Sequence, residues 1–87
     1  MDSDLASLSP QTLLEHEPFV HAVARGLLGD AGAAEDVAQE TWMRALHDGP
    51  REPGALRAWL GRVAANLAHD RRRSATRRSL REERTAR

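Results

Sequence analysis

The fold is decided by residues 29–46, GDAGAAEDVAQETWMRAL. Gly29 can end one helix and Asp30 can cap the next, because a carboxylate oxygen accepts the backbone N–H groups left free at a helix start. Apolar residues then recur at helical spacing until Asp48-Gly49-Pro50 stops the pattern. The stretch predicts an amphipathic helix whose inward face is made of Val37, Ala38, Thr41, Trp42, Ala45 and Leu46.

A helical pattern also precedes this stretch. Ser9-Pro10 is typical of a helix start, with Ser9 as the N-cap and Pro10 at the first helical position. Pro18 should break or kink this helix near Glu17, because proline cannot donate a backbone hydrogen bond. The apolar pattern resumes at Phe19 and continues to Gly29. The sequence therefore predicts a first helix that is interrupted near Pro18.

A third helix follows the central stretch. Residues 48–54, DGPREPG, have the composition of a loop, and the helix is expected to open between Pro53 and Ala55. Its apolar stripe consists of Leu56, Trp59, Leu60, Val63 and Leu67. Beyond Asp70 the periodicity fades into an arginine-rich tail. The tail is either a solvated helical extension or a linker, and the pattern does not decide between them.

Together these patterns predict an all-α fold, a compact bundle of three main helices with the first interrupted near Pro18. We expect residues 1–8 to be a flexible N-terminus, residues 9–73 to form the helical domain and residues 74–87 to be the extension or linker. Most of the core is expected to come from ten side chains: Phe19, Val23, Leu27, Val37, Thr41, Trp42, Ala45, Leu60, Val63 and Leu67. Trp42 and Trp59 are interpreted as packing anchors rather than as base-stacking platforms.

Size and composition narrow the class of protein. The chain has 87 residues and no cysteine, which fits one small domain without disulfides or thiolate metal sites. Its apolar residues are mainly Ala, Leu and Val, which favour helices over strands. No apolar run approaches the roughly 18 residues of a membrane span, and the acidic N-terminus does not resemble a signal peptide. We therefore expect a cytoplasmic protein.

The formal net charge of zero conceals a strong segregation of charge. Residues 1–48 hold nine carboxylates and two arginines, whereas residues 49–87 hold eleven arginines and four carboxylates. Lysine is absent, so every cation is a planar guanidinium, which suits phosphate and carboxylate recognition. Codon bias explains the arginines but not their segregation. The split suggests two surfaces with different partners.

One such surface is predicted on the second helix. Five residues share its outward side at offsets of three and four: Asp36, Gln39, Glu40, Met43 and His47. Two carboxylates, an amide and a methionine could dock a basic helical partner. Polar residues outside an amphipathic helix are usually just solvated, so this pattern alone is weak.

The other surface is predicted on the third helix. Arg62, Asn66, His69 and Arg73 lie on the side away from its apolar stripe, with Arg72 at the border. Arginines can hold phosphates, while an asparagine can both donate to and accept from a base edge. We interpret this side as a nucleic-acid surface, although a solvated helix face would show a similar pattern.

At this point a resemblance becomes visible. Residues 29–46, followed by LRAWLGRVAANLAHDRRR at 56–73, resemble region 2 of bacterial sigma factors, and most of all the extracytoplasmic-function (ECF) group. The resemblance covers roughly residues 13–78 and is specific only as a composite. The residues that carry it are Asp36, Gln39, Glu40, Trp42, Trp59, Leu60, Val63, Asn66, Asp70, Arg71 and Arg72.

The resemblance implies two partners, RNA polymerase core and promoter DNA. Asp36, Gln39 and Glu40 match the part of region 2 that docks on the clamp helices of the polymerase's largest subunit, whereas Met43 and His47 join that face by helical spacing alone. The family resemblance also implies regulation by an anti-sigma protein, which is common in ECF factors. Nothing in the residues themselves indicates such a regulator.

For DNA, the resemblance implies capture of the −10 element as a single strand. Asn66 matches the asparagine beside which ECF factors hold a flipped-out base, and residues 48–54 match the loop that helps form the base pocket. That loop has no aromatic residue, so recognition would depend on backbone groups, Arg51 and Asn66. The arginines expected at promoter phosphates are Arg62, Arg71, Arg72 and Arg73. ECF factors normally continue into region 4, which we expect to be absent from residues 1–87.

Other functions find less support. His16 and His21 are five residues apart with Pro18 between them, which does not fit the i, i+4 spacing of a zinc-protease helix. No base–nucleophile pair is apparent, so we expect neither an enzyme nor a metal or other cofactor. Two alternatives to a sigma domain stay open: a helical protein-interaction module and a non-specific nucleic-acid-binding domain.

Overall fold

The computed structural model describes residues 10–50 and 52–86. Within these ranges the chain forms four α-helices and no β-strand: α1 (Pro10–Glu15), α2 (Glu17–Leu28), α3 (Ala31–Asp48) and α4 (Pro53–Ala86). The helices α2, α3 and α4 pack against one another, and α1 packs on α2. The predicted all-α bundle is therefore confirmed. Three predictions fall outside the described residues: the flexible segment 1–8, the N-cap at Ser9 and the role of Arg51.

The first predicted helix is interrupted, as expected, and becomes α1 and α2. The break falls at His16, whose N–H donates to the carbonyl oxygen of Leu13 at 3.0 Å. Pro18 lies in the first turn of α2, where its missing N–H costs no hydrogen bond. The chain therefore turns at His16 because α1 cannot continue through Pro18.

The connection between α2 and α3 is only two residues long. Gly29 adopts the left-handed conformation with φ 73°, and its N–H donates to the carbonyl oxygen of Arg25 at 2.8 Å. Asp30 then caps α3, because its Oδ2 accepts the N–H of Ala33 at 2.8 Å. Glycine adopts a positive φ without steric cost, so the Gly29-Asp30 pair forms the turn that the sequence predicts.

The structure of α4 shows whether the arginine-rich tail is a helical extension or a linker. It is one continuous helix of 34 residues, and every residue from His69 to Thr85 is exposed. The tail is therefore a solvated helical extension rather than an irregular linker. We call residues 69–85 the α4 extension. The extension explains why the molecule measures 63 × 20 × 16 Å although its core is compact. The domain boundary at residue 73 stays a prediction.

The core contains more alanine than predicted. Of the ten expected core residues, Val37, Thr41, Ala45, Leu60 and Leu67 are buried and the other five are half-buried. The buried set also includes Ala38 and Leu56, which were predicted to face inward but were not among those ten. The other buried residues were not predicted: Leu13, Val20, Ala24, Ala34, Ala64 and Ala68. Small side chains let helix backbones approach closely, so the larger residues pack around this centre. Both Trp42 and Trp59 lie against the core in this way.

One hydrogen bond within α3 and two contacts between α2 and α4 accompany the packing of the bundle. The hydroxyl of Thr41 is buried, and it donates to the carbonyl oxygen of Val37 at 2.7 Å. Phe19 of α2 lies against Gly61 of α4, where a Cβ atom would come within 2.9 Å of the ring. The guanidinium of Arg57 lies 3.9 Å from the centre of the same ring, which is a cation–π contact. Gly61 is thus required by a close approach rather than by backbone conformation.

Candidate functional site

The five residues predicted on the second helix lie together on the outer side of α3. We call Asp36, Gln39, Glu40, Met43 and His47 the docking face. All are exposed except Glu40, which is partly buried, and Met43 is 70% exposed. The side chain of Met43 is therefore accessible for contact with a partner.

The two carboxylates of the docking face form ion pairs with arginines. Glu40 Oε2 lies 3.0 Å from Arg44 Nη2, one helical turn further along α3. Asp36 Oδ2 lies 3.5 Å from Arg71 Nη1, which comes from α4. Both pairs are exposed, so each can exchange its partner for a charge on another molecule at little cost.

The four residues predicted on the third helix lie along the outer side of α4. We call Arg62, Asn66, His69 and Arg73 the α4 stripe. All four are exposed, and they follow one line because offsets of four, three and four return to the same side of a helix. Arg73 also pairs with Asp70 in the adjacent turn. Arg72 borders the stripe, beside His69 and Arg73.

Arg71 is separated from the other arginines of its predicted group. It lies about half a helical turn away from the α4 stripe, given 3.6 residues per turn. Its side chain faces α3 and pairs there with Asp36. A residue expected to hold promoter phosphates therefore contacts a residue expected to dock the polymerase. Sequence spacing alone could have shown the orientation of Arg71 but not its partner, because Arg71 continues the apolar line of Leu60, Ala64 and Leu67.

A groove of about 560 Å³ runs between α3 and the start of the α4 extension. Its walls carry both signs of charge, with Asp30, Glu40 and Asp70 facing Arg44, Arg71 and Arg78. Leu28 and Leu67 form part of its floor. Glu40 of the docking face and Arg72, which borders the α4 stripe, both line this groove.

One predicted inward residue faces outward. Leu46 is 55% exposed and lines an apolar groove with Leu13, Leu14 and Trp42. The prediction that Leu46 belongs to the inward face is wrong, because it lies beyond Trp42 at the edge of the buried side of α3. Leu14 is also exposed, at 61%, and the sequence predicted no role for it because the pattern around it indicates only a helix start.

The described residues show no other type of site. No group of three or more His, Asp or Glu side chains in these ranges is arranged to hold a metal ion. No helix in the described part of the chain is long and apolar enough to cross a membrane. His21 Nε2 on α2 lies 3.8 Å from Glu35 Oε2 on α3. Only His16 Nδ1 is a buried side-chain polar atom without a hydrogen-bond partner among the described residues.

Comparison with known proteins identifies the class to which this bundle belongs. Residues 13–78 match the family Sigma-70 region 2, so the chain belongs to that family. The match covers the interval over which the sequence resembles sigma region 2, and it includes both the docking face and the α4 stripe.

Among individual proteins, the chain is similar to the ECF RNA polymerase sigma factor SigL from three strains of Mycobacterium tuberculosis. In each case it is 46% identical over 65 residues, which is 70% of this chain and 36% of the relative. The chain therefore spans about a third of the length of the curated relatives it matches. The resemblance to region 2 of an ECF sigma factor is confirmed. No solved structure matches the chain.

Proposed function

We propose that this chain binds core RNA polymerase through its docking face and captures the −10 promoter element as a single strand on α4. In this role it is the region 2 portion of an ECF sigma factor and acts by binding rather than by catalysis. Polymerase partnership would place it in the cytoplasm. An anti-sigma protein that covers either surface would block the function.

The observation that carries the proposal is the separation of the two surfaces. The docking face lies on α3 and the α4 stripe on α4, and each is on the side of its helix that points away from the shared core. Two helices that pack on each other expose their outer sides in different directions. A polymerase subunit on one surface therefore leaves the other free for DNA.

The chemistry of the docking face fits a basic, amphipathic partner helix. Asp36 and Glu40 offer carboxylates, Gln39 offers an amide, and the exposed Met43 offers an adaptable apolar contact. The ion pairs with Arg71 and Arg44 hold both carboxylates in place before docking. An incoming arginine or lysine can compete for these oxygens, because exposed ion pairs contribute only about 0.2–1 kcal/mol.

The chemistry of the α4 stripe fits one extruded base with its adjacent phosphates. Asn66 is exposed between Arg62, about one turn before it, and Arg73, about two turns after it, so a base held by its amide would have a guanidinium on either side along the helix. Extruding a base from duplex DNA costs a few kcal/mol, and contacts to the extruded base offset that cost. The proposed mechanism is therefore stabilisation of melted DNA by capture of one strand.

Retention of core polymerase tests the first half of the proposal. Immobilised wild-type protein should retain purified mycobacterial core RNA polymerase, and Gln39→Ala/Glu40→Ala should lose most of that retention. The matched control is Gln11→Ala/Glu15→Ala, which removes the same two side-chain types from exposed positions on α1. Equal retention by the wild type and the docking-face variant would overturn the proposed docking surface.

Sequence preference tests the second half. The complex with core polymerase should select one motif from a random library of single-stranded DNA, and the free chain should prefer that motif over a scrambled strand. A salt-dependent affinity without preference would identify a non-specific nucleic-acid-binding domain instead. Binding to a protein partner with no affinity for DNA would identify an interaction module.

A further inference from the structure

The α4 extension carries a continuation of the α4 stripe that the proposed function does not use. Arg77 follows Arg73 by four residues, and Arg84 follows Arg77 by seven, so both lie on the same side of the helix as Arg62 and Asn66. Both side chains are exposed. One line of cationic and polar residues therefore runs from the bundle to the far end of α4.

The charges of the extension are largely uncompensated. Residues 72–85 contain six arginines and two glutamates, Glu82 and Glu83. Among the residues that the structure describes, neither Arg77 nor Arg84 forms a salt bridge. Arg73 and Arg77, and then Arg77 and Arg81, are like charges at i, i+4, and each such pair destabilises an isolated helix by about 0.2–0.5 kcal/mol. A bound polyanion would remove that repulsion.

The residue types of the extension favour the DNA backbone over the bases. No aromatic residue occurs between residues 69 and 86, so the segment cannot stack unpaired bases in the way that single-strand-binding proteins do. Guanidinium groups bind phosphates without reading sequence. A straight, exposed helix with phosphate-binding groups alone matches a stiff duplex better than a flexible strand.

The length of the line also fits duplex DNA. Arg62 and Arg84 are 22 residues apart, or about 33 Å at 1.5 Å per residue, which is close to the roughly 34 Å of one turn of B-DNA. Asn66 and Arg62 would occupy the melted strand at one end of this line. The remainder is long enough to reach double-stranded DNA beside it.

We propose that the α4 extension binds the phosphates of duplex DNA next to the captured single strand, through Arg77 and Arg84. The inference rests on the proposed function only for the single-stranded end of the line. The duplex contact is independent of sequence, and it anchors the protein beside the junction between paired and unpaired DNA.

The test compares two probes of the same mixed sequence, so no promoter motif is needed. One is a single strand of about 10 nucleotides, and the other carries in addition a duplex arm of about 10 base pairs, one helical turn, on either its 5′ or its 3′ side. Affinities are measured by fluorescence anisotropy across a range of salt concentrations. The test variant is Arg77→Gln/Arg84→Gln in the full chain.

The matched control is Arg25→Gln/Arg78→Gln, which removes the same charge. Arg25 lies in the last turn of α2, and Arg78 lines the groove on the α3 side of α4. All four arginines are exposed, so neither variant should disturb the fold. Circular dichroism of both variants checks that the helix content is kept.

When the duplex arm is on one of the two sides of the strand, Arg77→Gln/Arg84→Gln should show a log–log salt slope of binding about 2 lower than that of the wild type. The reason is that each lost phosphate contact removes about 0.9 from the slope. The slope for the single strand should not change, and the control should keep the wild-type slope for both probes. An equal loss on armed and unarmed probes, or an equal loss in the control, would overturn the inference. A lack of sequence preference in the single-strand selection would overturn the proposed function instead, so the two failures are distinguishable.

Discussion

The guanidinium of Arg71 lies 3.5 Å from the carboxylate of Asp36, and this ion pair joins α4 to α3 near the point where α4 leaves the bundle. Asp36 belongs to the docking face, while Arg71 precedes the arginines that border the α4 stripe. The pair therefore ties the docking face to α4, on the side of that helix away from the α4 stripe. Both side chains are exposed, at 61% for Asp36 and 43% for Arg71, so the contact is accessible to salt and to competing charges.

A double-mutant cycle measures this connection. Asp36→Asn, Arg71→Gln and the combined variant should give a coupling free energy of about 0.2–1 kcal/mol in the free energy of unfolding, as exposed pairs do. Urea denaturation followed by circular dichroism supplies the values. The coupling should vanish near 1 M salt, where charges are screened within about 3 Å. A coupling that survives high salt would mean that the two side chains interact by something other than charge.

The orientation of Arg71 also predicts its effect on DNA binding. Arg62→Gln should lower the log–log salt slope for single-stranded DNA by about 0.7, because Arg62 lies on the α4 stripe. Arg71→Gln should leave that slope nearly unchanged, because Arg71 faces α3. Each variant removes one positive charge, so net charge cannot explain a difference. If both variants lower the slope by the same amount, Arg71 turns away from Asp36 and binds phosphate as Arg62 does.

Base capture depends on Asn66. Asn66→Ala should weaken binding to the motif selected from single-stranded DNA by about 1–3 kcal/mol, the range for one good contact between a side chain and a base. Affinity for a scrambled strand should change little, since the phosphates are held by arginines. Retention of core polymerase should be unchanged and serves as the control. If the variant and the wild type bind the selected motif equally in the same salt, Asn66 does not hold the base.

Substitution of alanine for two glycines of the bundle should have opposite effects on the free energy of unfolding. Gly26 lies exposed in α2 with no atom within 4 Å of an added Cβ, so Gly26→Ala should stabilise the fold by about 0.5–1 kcal/mol. At Gly61 an added Cβ would lie 2.9 Å from Phe19 Cζ, so the ring must move. Overpacking of this kind costs about 1–3 kcal/mol, and we expect Gly61→Ala to be destabilising after the gain in helix propensity is included.

Thermal unfolding separates the two variants. A change of 1 kcal/mol shifts the Tm of a domain this size by about 4–8 °C, which is readily measured. Gly61→Ala should also disturb the cation–π contact of Arg57 with Phe19, because both contacts involve the same ring. A Tm for Gly61→Ala that rises as much as that of Gly26→Ala would mean that Phe19 moves without loss of packing.

Local signals in the sequence account for most of the helix boundaries. Pro18, the Gly29-Asp30 pair and Pro50 each act within one turn through a missing N–H, a positive φ or a side-chain cap, so their effects need no knowledge of the rest of the fold. The docking face and the α4 stripe follow equally directly, because a helical wheel places residues on the outer side once the inner side is known.

Features that depend on how helices pack were harder to predict. Ala24, Ala64 and Ala68 are fully buried, yet alanine also occurs on exposed helix surfaces, so its identity does not reveal its burial. Leu46 illustrates the converse, since it is an apolar residue at helical spacing that lies exposed at the edge of the buried side of α3. Spacing along α4 places Arg71 on the inward side of that helix, but its contact with Asp36 depends on the relative rotation of α3 and α4, which no spacing within either helix encodes.

The continuity of α4 has a mechanical consequence. The helix extends about 27 Å beyond Ala68, its last buried residue, at 1.5 Å per residue, and the same hydrogen-bonded rod carries Asn66 within the bundle. A molecule that pulls on or deflects the tip therefore applies leverage to the segment that presents Asn66. Strain imposed at Arg84 would tilt that amide, 18 residues back along α4, without any change in the contacts of α2 with α3.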